Sequence, residues 1–226
     1  MNGITVKICG LRRPSDVQLC QQLGVDILGF VTEYPLPVPW NLSRQEALPL
    51  LQLVRPPCRS CLVTGGPPEK VIELASSLRP SMVQIHYKET LEETIKISDA
   101  LHKLNIQAIK IVPTQAEERM AQFGTTDIAA IVAKLCTTSL YGLLADSRTP
   151  ANALQIGIPL DQSFCTEIIK VSSKPVFIAG GINPENVRLL LEQTGAKYID
   201  VMTGVESSTG IKDAEALSRL VSSLGH

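Results

Sequence analysis

The chain has 226 residues, 44% of them hydrophobic, and its 21 lysines and arginines stand against 22 aspartates and glutamates. That length suits one closed α/β barrel spanning residues 1–226, and the balanced charge excludes a strongly basic surface, so a small-molecule ligand is expected rather than nucleic acid or an anionic membrane. No apolar run approaches the ~18 residues of a spanning helix, and the opening MNGITVKICG lacks the basic and apolar regions of a secretion signal, so a cytoplasmic location is expected.

Short apolar, β-branched runs recur along the chain in the order TVKIC, ILGFV, RSCLVT, MVQIH, AIKIV, YGLLAD, VFIAG and YIDVM. Each precedes a stretch with helical spacing, near Ser15 to Leu23, Ser43 to Val54, Glu69 to Leu78, Leu91 to Leu104, Ile128 to Cys136, Asp161 to Val171, Pro184 to Gln193 and Ala214 to Leu224. Ala214, Leu217, Leu220, Val221 and Leu224 recur at intervals of three and four, which puts them on one helical face for packing on a sheet. Strict βα alternation means parallel strands, and eight units predict a single (βα)8 TIM barrel. An open doubly wound sheet is the alternative, but no strand leads into the G-x-G-x-x-G turn that a dinucleotide's pyrophosphate asks for, which counts against a nicotinamide enzyme. The six cysteines, Cys9, Cys20, Cys58, Cys61, Cys136 and Cys165, are expected to be reduced in a chain this large. Cys58 and Cys61 form a C-x-x-C pair with no second pair or nearby histidines to complete a zinc ligand set, so an accidental pair at a strand entrance is the reading.

Strand residues in a barrel alternate between the interior and the helix layer, and chemistry sits at the C-terminal ends of the strands. In TVKIC this alternation sends Thr5, Lys7 and Cys9 inward, with Cys9 at the mouth. It sends Asp146 inward at the tip of the sixth strand, Gln84 and His86 inward on the fourth and Asp200 inward on the eighth. Lys110 joins them if Ile109 and Ile111 face helices. Buried lysines and aspartates are costly unless paired, so the set reads as a site, with a purely structural Lys-Asp network as the alternative for Lys7, Lys110 and Asp200.

Ala179-Gly180-Gly181-Ile182-Asn183-Pro184-Glu185-Asn186 runs from the seventh strand toward a helix, with Asn183 as the expected N-cap and Pro184 at the first helical position. The two glycines admit close backbone approach, and a helix N-terminus offers unpaired N–H donors to an anion. After the eighth strand Thr203-Gly204-Val205-Glu206 continues into SSTGIKD, expected to form the short extra helix found beside barrel phosphate sites. Two glycine turns after strands seven and eight predict a phosphate grip made by Gly180, Gly181, Thr203 and Gly204; tight βα turns without a ligand are the alternative.

These residues resemble the phosphoribosylanthranilate isomerase family of tryptophan biosynthesis, whose members are single-domain βα barrels. The blocks that carry the resemblance are Lys7-Ile8-Cys9-Gly10, Asp26-Ile27-Leu28-Gly29-Phe30, Gln84-Ile85-His86, Leu144-Ala145-Asp146-Ser147, Ala179 through Val187, Asp200-Val201-Met202-Thr203-Gly204-Val205-Glu206 and Gly210-Ile211-Lys212-Asp213. They cover nearly the whole chain in the family's order. The resemblance implies an isomerase that needs no cofactor and carries out an Amadori rearrangement of N-(5-phosphoribosyl)anthranilate to 1-(2-carboxyphenylamino)-1-deoxyribulose 5-phosphate. It implies Cys9 as general base and Asp146 as general acid, which asks for a thiolate favoured by a neighbouring cation such as Lys7 and a carboxyl whose pKa is raised. Lys7, Gln84, His86 and Asp200 are the further expected substrate contacts, and the chain is expected to be a monomer or homodimer.

Three segments depart from the family. After the second strand the family has Y-P-x-S-P-R-Y, with an arginine for the anthranilate carboxylate, whereas here Tyr34-Pro35-Leu36-Pro37-Val38-Pro39-Trp40-Asn41-Leu42-Ser43 puts Trp40 near the arginine's place. Arg44 follows a few residues on, and the proline-rich stretch is expected to be a lid or an interface patch. After the sixth strand the family's glycine-rich loop is replaced by Ser147 through Gly157, in which Arg148 is the candidate replacement anion contact. Tyr87-Lys88-Glu89 stands where the family has glycine and then an acid. A diverged enzyme acting on another phosphorylated sugar, or a non-catalytic phosphate-binding barrel, are the alternatives to the isomerase.

Overall fold

A computed structural model describes residues 3–147, 155 and 158–225. Eight parallel strands close into a barrel in chain order. These are β1 (Thr5–Ile8), β2 (Ile27–Val31), β3 (Arg59–Thr64), β4 (Met82–Ile85), β5 (Gln107–Val112), β6 (Gly142–Asp146), β7 (Val176–Ala179) and β8 (Tyr198–Val201). The outer layer comprises α1 (Pro14–Gln22), α2 (Arg44–Leu51), α3 (Pro68–Leu78), α4 (Leu91–Lys103), α5 (Ala116–Phe123), α6 (Ile128–Cys136), α7 (Gln162–Val171), α8 (Val187–Thr194) and α9 (Ala214–Leu224). No helix among the described residues is long and apolar enough to cross a membrane.

Several helices start where their side chains supply the missing acceptor for the first-turn N–H groups. Ser43 with Glu46 and Thr90 with Glu93 make capping boxes on α2 and α4. Asp127, Asp161 and Asp213 cap α6, α7 and α9 through the backbone N–H groups of Ala130, Phe164 and Ala216. Helix α5 was not expected from the sequence, because AEERMAQF is short and mostly polar. Its Arg119 is nevertheless buried, donating to the carbonyls of Pro113, Thr114 and Thr126.

Period-two alternation splits the core into two shells. Val6, Ile8, Leu28, Phe30, Leu62, Val83, Ile85, Leu143, Ala145, Ile178 and Val201 pack outward against the helices. Ile27, Val31, Cys61, Val63, Met82, Ile109, Ile111, Leu144 and Phe177 fill the interior. The barrel closes between β1 and β8, where Lys7 is paired in register with Asp200 and its ammonium lies 2.7 Å from the carboxylate. The C-x-x-C pair is divided between layers: Cys61 lies inside the barrel, while the Cys58 thiol donates to the carbonyl of Val25 at the strand entrance.

Lys110 departs from expectation. Ile109 and Ile111 occupy the interior, so the same alternation turns Lys110 toward the helix layer beside Ala108 and Val112. There its ammonium lies 2.7 Å from Glu89, with both side chains buried. Glu89 also accepts the backbone N–H groups of Gly66 and Tyr87, and burial against this shell lowers the Lys110 pKa while the Lys110 ammonium and these donors overcome burial to hold the Glu89 carboxyl below its usual range. A Cβ at Gly65 would meet Tyr87 Cβ at 2.4 Å and Glu89 Oε1 at 2.5 Å, so the Tyr87-Lys88-Glu89 segment and Gly65 fit one another.

Removing one member of a buried ion pair strands the other charge. Glu89→Gln should therefore cost about 3–5 kcal/mol in urea unfolding, and adding Lys110→Met should recover most of it. Equal stability of Glu89→Gln and the parent would show that this pair holds nothing.

Candidate active site

The strand tips and the loops that follow them enclose a cleft of about 810 Å³, counting its space open to solvent. Cys9, Gln84, His86, Asp146, Gly180, Gly181, Asp200, Thr203 and Gly204 all line it, so nine of the residues singled out in the sequence meet at one place. Lys7 does not line it. It lies one layer below, fully buried and paired with Asp200. Arg148 lies outside the described residues.

Cys9 follows β1 directly, and its backbone N–H bonds to the carbonyl of Val201. Room for it comes from Gly29 on β2, where a Cβ would stand 2.9 Å from the Cys9 sulfur and 3.1 Å from Lys7 Nζ. Gly10, the next residue, has φ +72° and sits against Met202 and Trp40, at 2.7 Å and 2.9 Å from its would-be Cβ. Burial pushes the Cys9 thiol above its ordinary value; the Lys7 ammonium pulls it back and Asp200 adds to the rise. The expected depression by Lys7 is present but outweighed, chiefly by burial, with the carboxylate that fixes Lys7 adding to the opposition.

Asp146 ends β6, and one of its oxygens lies 3.2 Å from His86 Nε2. Asp200 is buried; desolvation raises its pKa against the pull of Lys7. Only its Oδ2 meets Lys7, and Oδ1 has no hydrogen-bond partner among the described residues. Gln84 Oε1 is likewise buried and unpartnered among them. Buried polar atoms are nearly always satisfied, so these two acceptors are places where a ligand's hydroxyl or N–H groups fit.

The glycine turns sit side by side. Gly180 and Gly181 have φ +126° and +58°, and a Cβ on Gly180 would come within 2.0 Å of Ser147 Oγ. A Cβ on Gly204 would meet the carbonyl oxygen of Ile182 at 1.9 Å, so the two turns pack backbone against backbone. Helix α8 begins later than expected, at Val187. Asn183 caps the turn before it, accepting the N–H groups of Glu185 and Asn186, while Asn186 ties back to Asn183 N–H and the Gly181 carbonyl. This side-chain network stabilises a turn at Pro184 through Asn186 in place of a first helical turn. The short helix expected in SSTGIKD is also absent. Thr203–Val205 forms a single 3-10 turn, and the segment after it is a hairpin of β9 (Glu206–Ser208) and β10 (Ile211–Lys212), turning at Gly210 with φ +78°.

The loop after β2 folds into the mouth, as a lid would. Trp40 and Tyr34 are buried and line the cleft with Val31, Val38, Val63 and Met202. The Tyr34 hydroxyl donates to the His86 carbonyl at 2.8 Å, and the Asn41 side chain clasps Tyr34 N–H and carbonyl. The indole N–H of Trp40 donates to Glu206 at 3.0 Å, and Lys212 meets the same carboxylate at 2.8 Å. Arg44 is turned away, paired with Glu33 and Glu73. Tyr34, Val38, Met202 and Ser147 were not identified from sequence as site residues; only the position of Tyr34 and Val38 beside Trp40 after a strand tip signals them.

A family model described as N-(5'-phosphoribosyl)anthranilate (PRA) isomerase matches residues 6–223. The N-(5'-phosphoribosyl)anthranilate isomerase of Natronomonas pharaonis is 29% identical over 221 residues, covering 97% of this chain and 97% of that protein. The crystal structure of the Thermus thermophilus phosphoribosyl anthranilate isomerase superposes with a TM-score of 0.77 at 25% identity, covering 98% of both chains. A phosphoribosyl anthranilate isomerase in complex with reduced 1-(o-carboxyphenylamino)-1-deoxyribulose 5-phosphate superposes with a TM-score of 0.74 at 25% identity, over 96% of both. Barrel, motif order and a match along almost the entire length agree, and the chain belongs to the N-(5'-phosphoribosyl)anthranilate isomerase family.

Proposed function

We propose that the chain catalyses the Amadori rearrangement of N-(5-phosphoribosyl)anthranilate to 1-(2-carboxyphenylamino)-1-deoxyribulose 5-phosphate, and that Cys9 and Asp146 carry the proton transfers. The observation that supports this most is the meeting of a thiol, a carboxyl and two glycine turns around one cleft. In this reading the N–H groups of the Gly180-Gly181 and Thr203-Gly204 turns take the phosphate, whose charge suits fixed backbone donors.

Asp146 gives its proton to the furanose ring oxygen as the C1–O bond breaks and the amine lone pair forms the C1=N bond of the Schiff base. Cys9 as thiolate then takes the C2 proton, the C1=C2 bond forms and the electrons settle on nitrogen. The enolamine takes a proton at C1 and loses one from its C2 hydroxyl, leaving the ketone. His86 keeps the Asp146 carboxyl aimed into the cleft, and Asp200 Oδ1 is placed to accept a sugar hydroxyl. Lys7 acts through its neighbours by holding Asp200 and countering charge on Cys9.

Incubation with N-(5-phosphoribosyl)anthranilate should extinguish the substrate's fluorescence, and no consumption would sink this reading. Cys9→Ala and Asp146→Asn should each lower kcat by about 10²–10⁴-fold, the span of a positioned acid or base; unchanged turnover would remove these residues from the mechanism. Because the base must be ionised and burial raises its pKa, kcat/KM should climb with pH through a midpoint above the ordinary thiol value of 9.0. Asp200→Asn, which removes the carboxylate that opposes the thiolate, should move that midpoint down, and a midpoint that stays put would assign the limb to another group. Gly204→Ala drives a Cβ into the Ile182 carbonyl; with the two turns parted, KM should rise by about tenfold or more while kcat changes little, and an unchanged KM would place the phosphate elsewhere.

A further inference from the structure

The hydroxyl of Tyr34 crosses from the loop after β2 to the tip of β4, where it donates to the backbone carbonyl of His86 at 2.8 Å in a buried bond. His86 stands one residue past the end of β4, so its peptide lies where the strand's ladder runs out. Its N–H still bonds to the Thr64 carbonyl on β3, and its carbonyl is the group that Tyr34 takes up. The phenol and imidazole rings lie 6.2 Å apart, and the Tyr87 ring meets the phenol edge-on at 6.1 Å. Tyr34 is itself held from behind, since the Asn41 side chain accepts its N–H at 2.9 Å and donates to its carbonyl at 3.0 Å. Burial, with Glu89 adding, pushes the phenol above its ordinary value, so it remains a donor.

On its other side His86 meets the Asp146 carboxyl, Nε2 lying 3.2 Å from Oδ2. The position of a ring nitrogen follows the backbone that carries it, and a misplacement of about 1 Å in a reacting group costs up to about 10²-fold in rate. Resting on the isomerase reading above, we infer that Tyr34 is a positioning residue for the general acid: its hydroxyl fixes the His86 peptide, His86 fixes the Asp146 carboxyl, and the loop after β2 thus aligns the proton donor besides walling the cleft. The two hydrogen bonds that make this chain involve neither Cys9 nor the glycine turns.

Tyr34→Phe keeps the ring and removes the hydroxyl. It should lower kcat with N-(5-phosphoribosyl)anthranilate by about tenfold and leave KM within about twofold, because alignment in the transition state is lost and binding is not. The decisive measurement is a double-mutant cycle. With Asp146→Asn or His86→Ala already in place there is no aligned acid left to lose, so adding Tyr34→Phe should change kcat by less than about twofold. A purely structural tyrosine would lower kcat by the same factor in all three backgrounds, and that additivity overturns the inference, as does a Tyr34→Phe enzyme with the parent's kcat. Asn41→Ala, which leaves the hydroxyl in place and frees the Tyr34 backbone, is the second probe should Tyr34→Phe fail to fold. It should show the same loss in the parent and no further loss beside Asp146→Asn, and an equal loss in both overturns the inference. A parent enzyme that does not turn over the substrate, or one that Asp146→Asn leaves at full rate, overturns the isomerase reading or its acid and the inference with it, which keeps the two failures distinct.

Discussion

The ion pair of Lys7 with Asp200 is the constraint on which both barrel and cleft depend. It joins the first strand to the last across the seam that closes the sheet. A lysine and an aspartate stripped of water at this depth are each costly alone, and together they fix which way β1 and β8 face. The direction of the Lys7 pKa reflects this: burial would lower it, and the Asp200 carboxylate reverses the sign. Everything above the seam follows from that orientation. Cys9 stands two residues beyond Lys7 on the same face, and Asp200 presents its second oxygen to the cleft.

The pair also sets a limit on the chemistry. Lys7 favours a thiolate at Cys9, but it is already neutralised by Asp200, so its effect on the thiol is that of half a dipole more than that of a free cation. Burial then keeps the thiol above its ordinary value. The glycine at position 29 matters here as well, since a side chain there would separate Lys7 from Cys9.

The barrel and most of its cleft were legible in the sequence because both rest on strong local rules. Period-two alternation placed Lys7, Cys9, Gln84, His86, Asp146 and Asp200 correctly, and the glycines announced turns that no residue with a Cβ fits. Legibility ended where two solutions share one pattern. AIKIV satisfies the alternation in either phase, and the choice that put Ile109 and Ile111 inside depended on Glu89, four residues past the end of β4, being available to meet Lys110. Asn183 and Pro184 read as a helix start, yet the hydrogen bonds between Asn183 and Asn186 hold a turn there. SSTGIKD lacked the apolar periodicity of a helix, and Gly210 with Ile211 in an extended pair makes a hairpin that Asp16 secures by accepting the Lys212 N–H.

The two recognition elements of the cleft are written in different materials. The glycine turns proposed to take the phosphate are backbone, and their glycines are fixed twice over, by left-handed φ at Gly180 and Gly181 and by contact of Gly204 with the Ile182 carbonyl. A change there disturbs folding as well as binding, so such a site retains its sequence wherever it retains its fold. The wall formed by Trp40, Tyr34 and Val38 is side chain on a loop, pinned by a few hydrogen bonds through Asn41, Glu206 and the His86 carbonyl. A substitution there changes the surface that the cleft presents and involves neither glycine turn. That asymmetry is why the glycine turns of this chain keep the family's motifs, and why the loop after β2, whose side chains are free to change, departs from them.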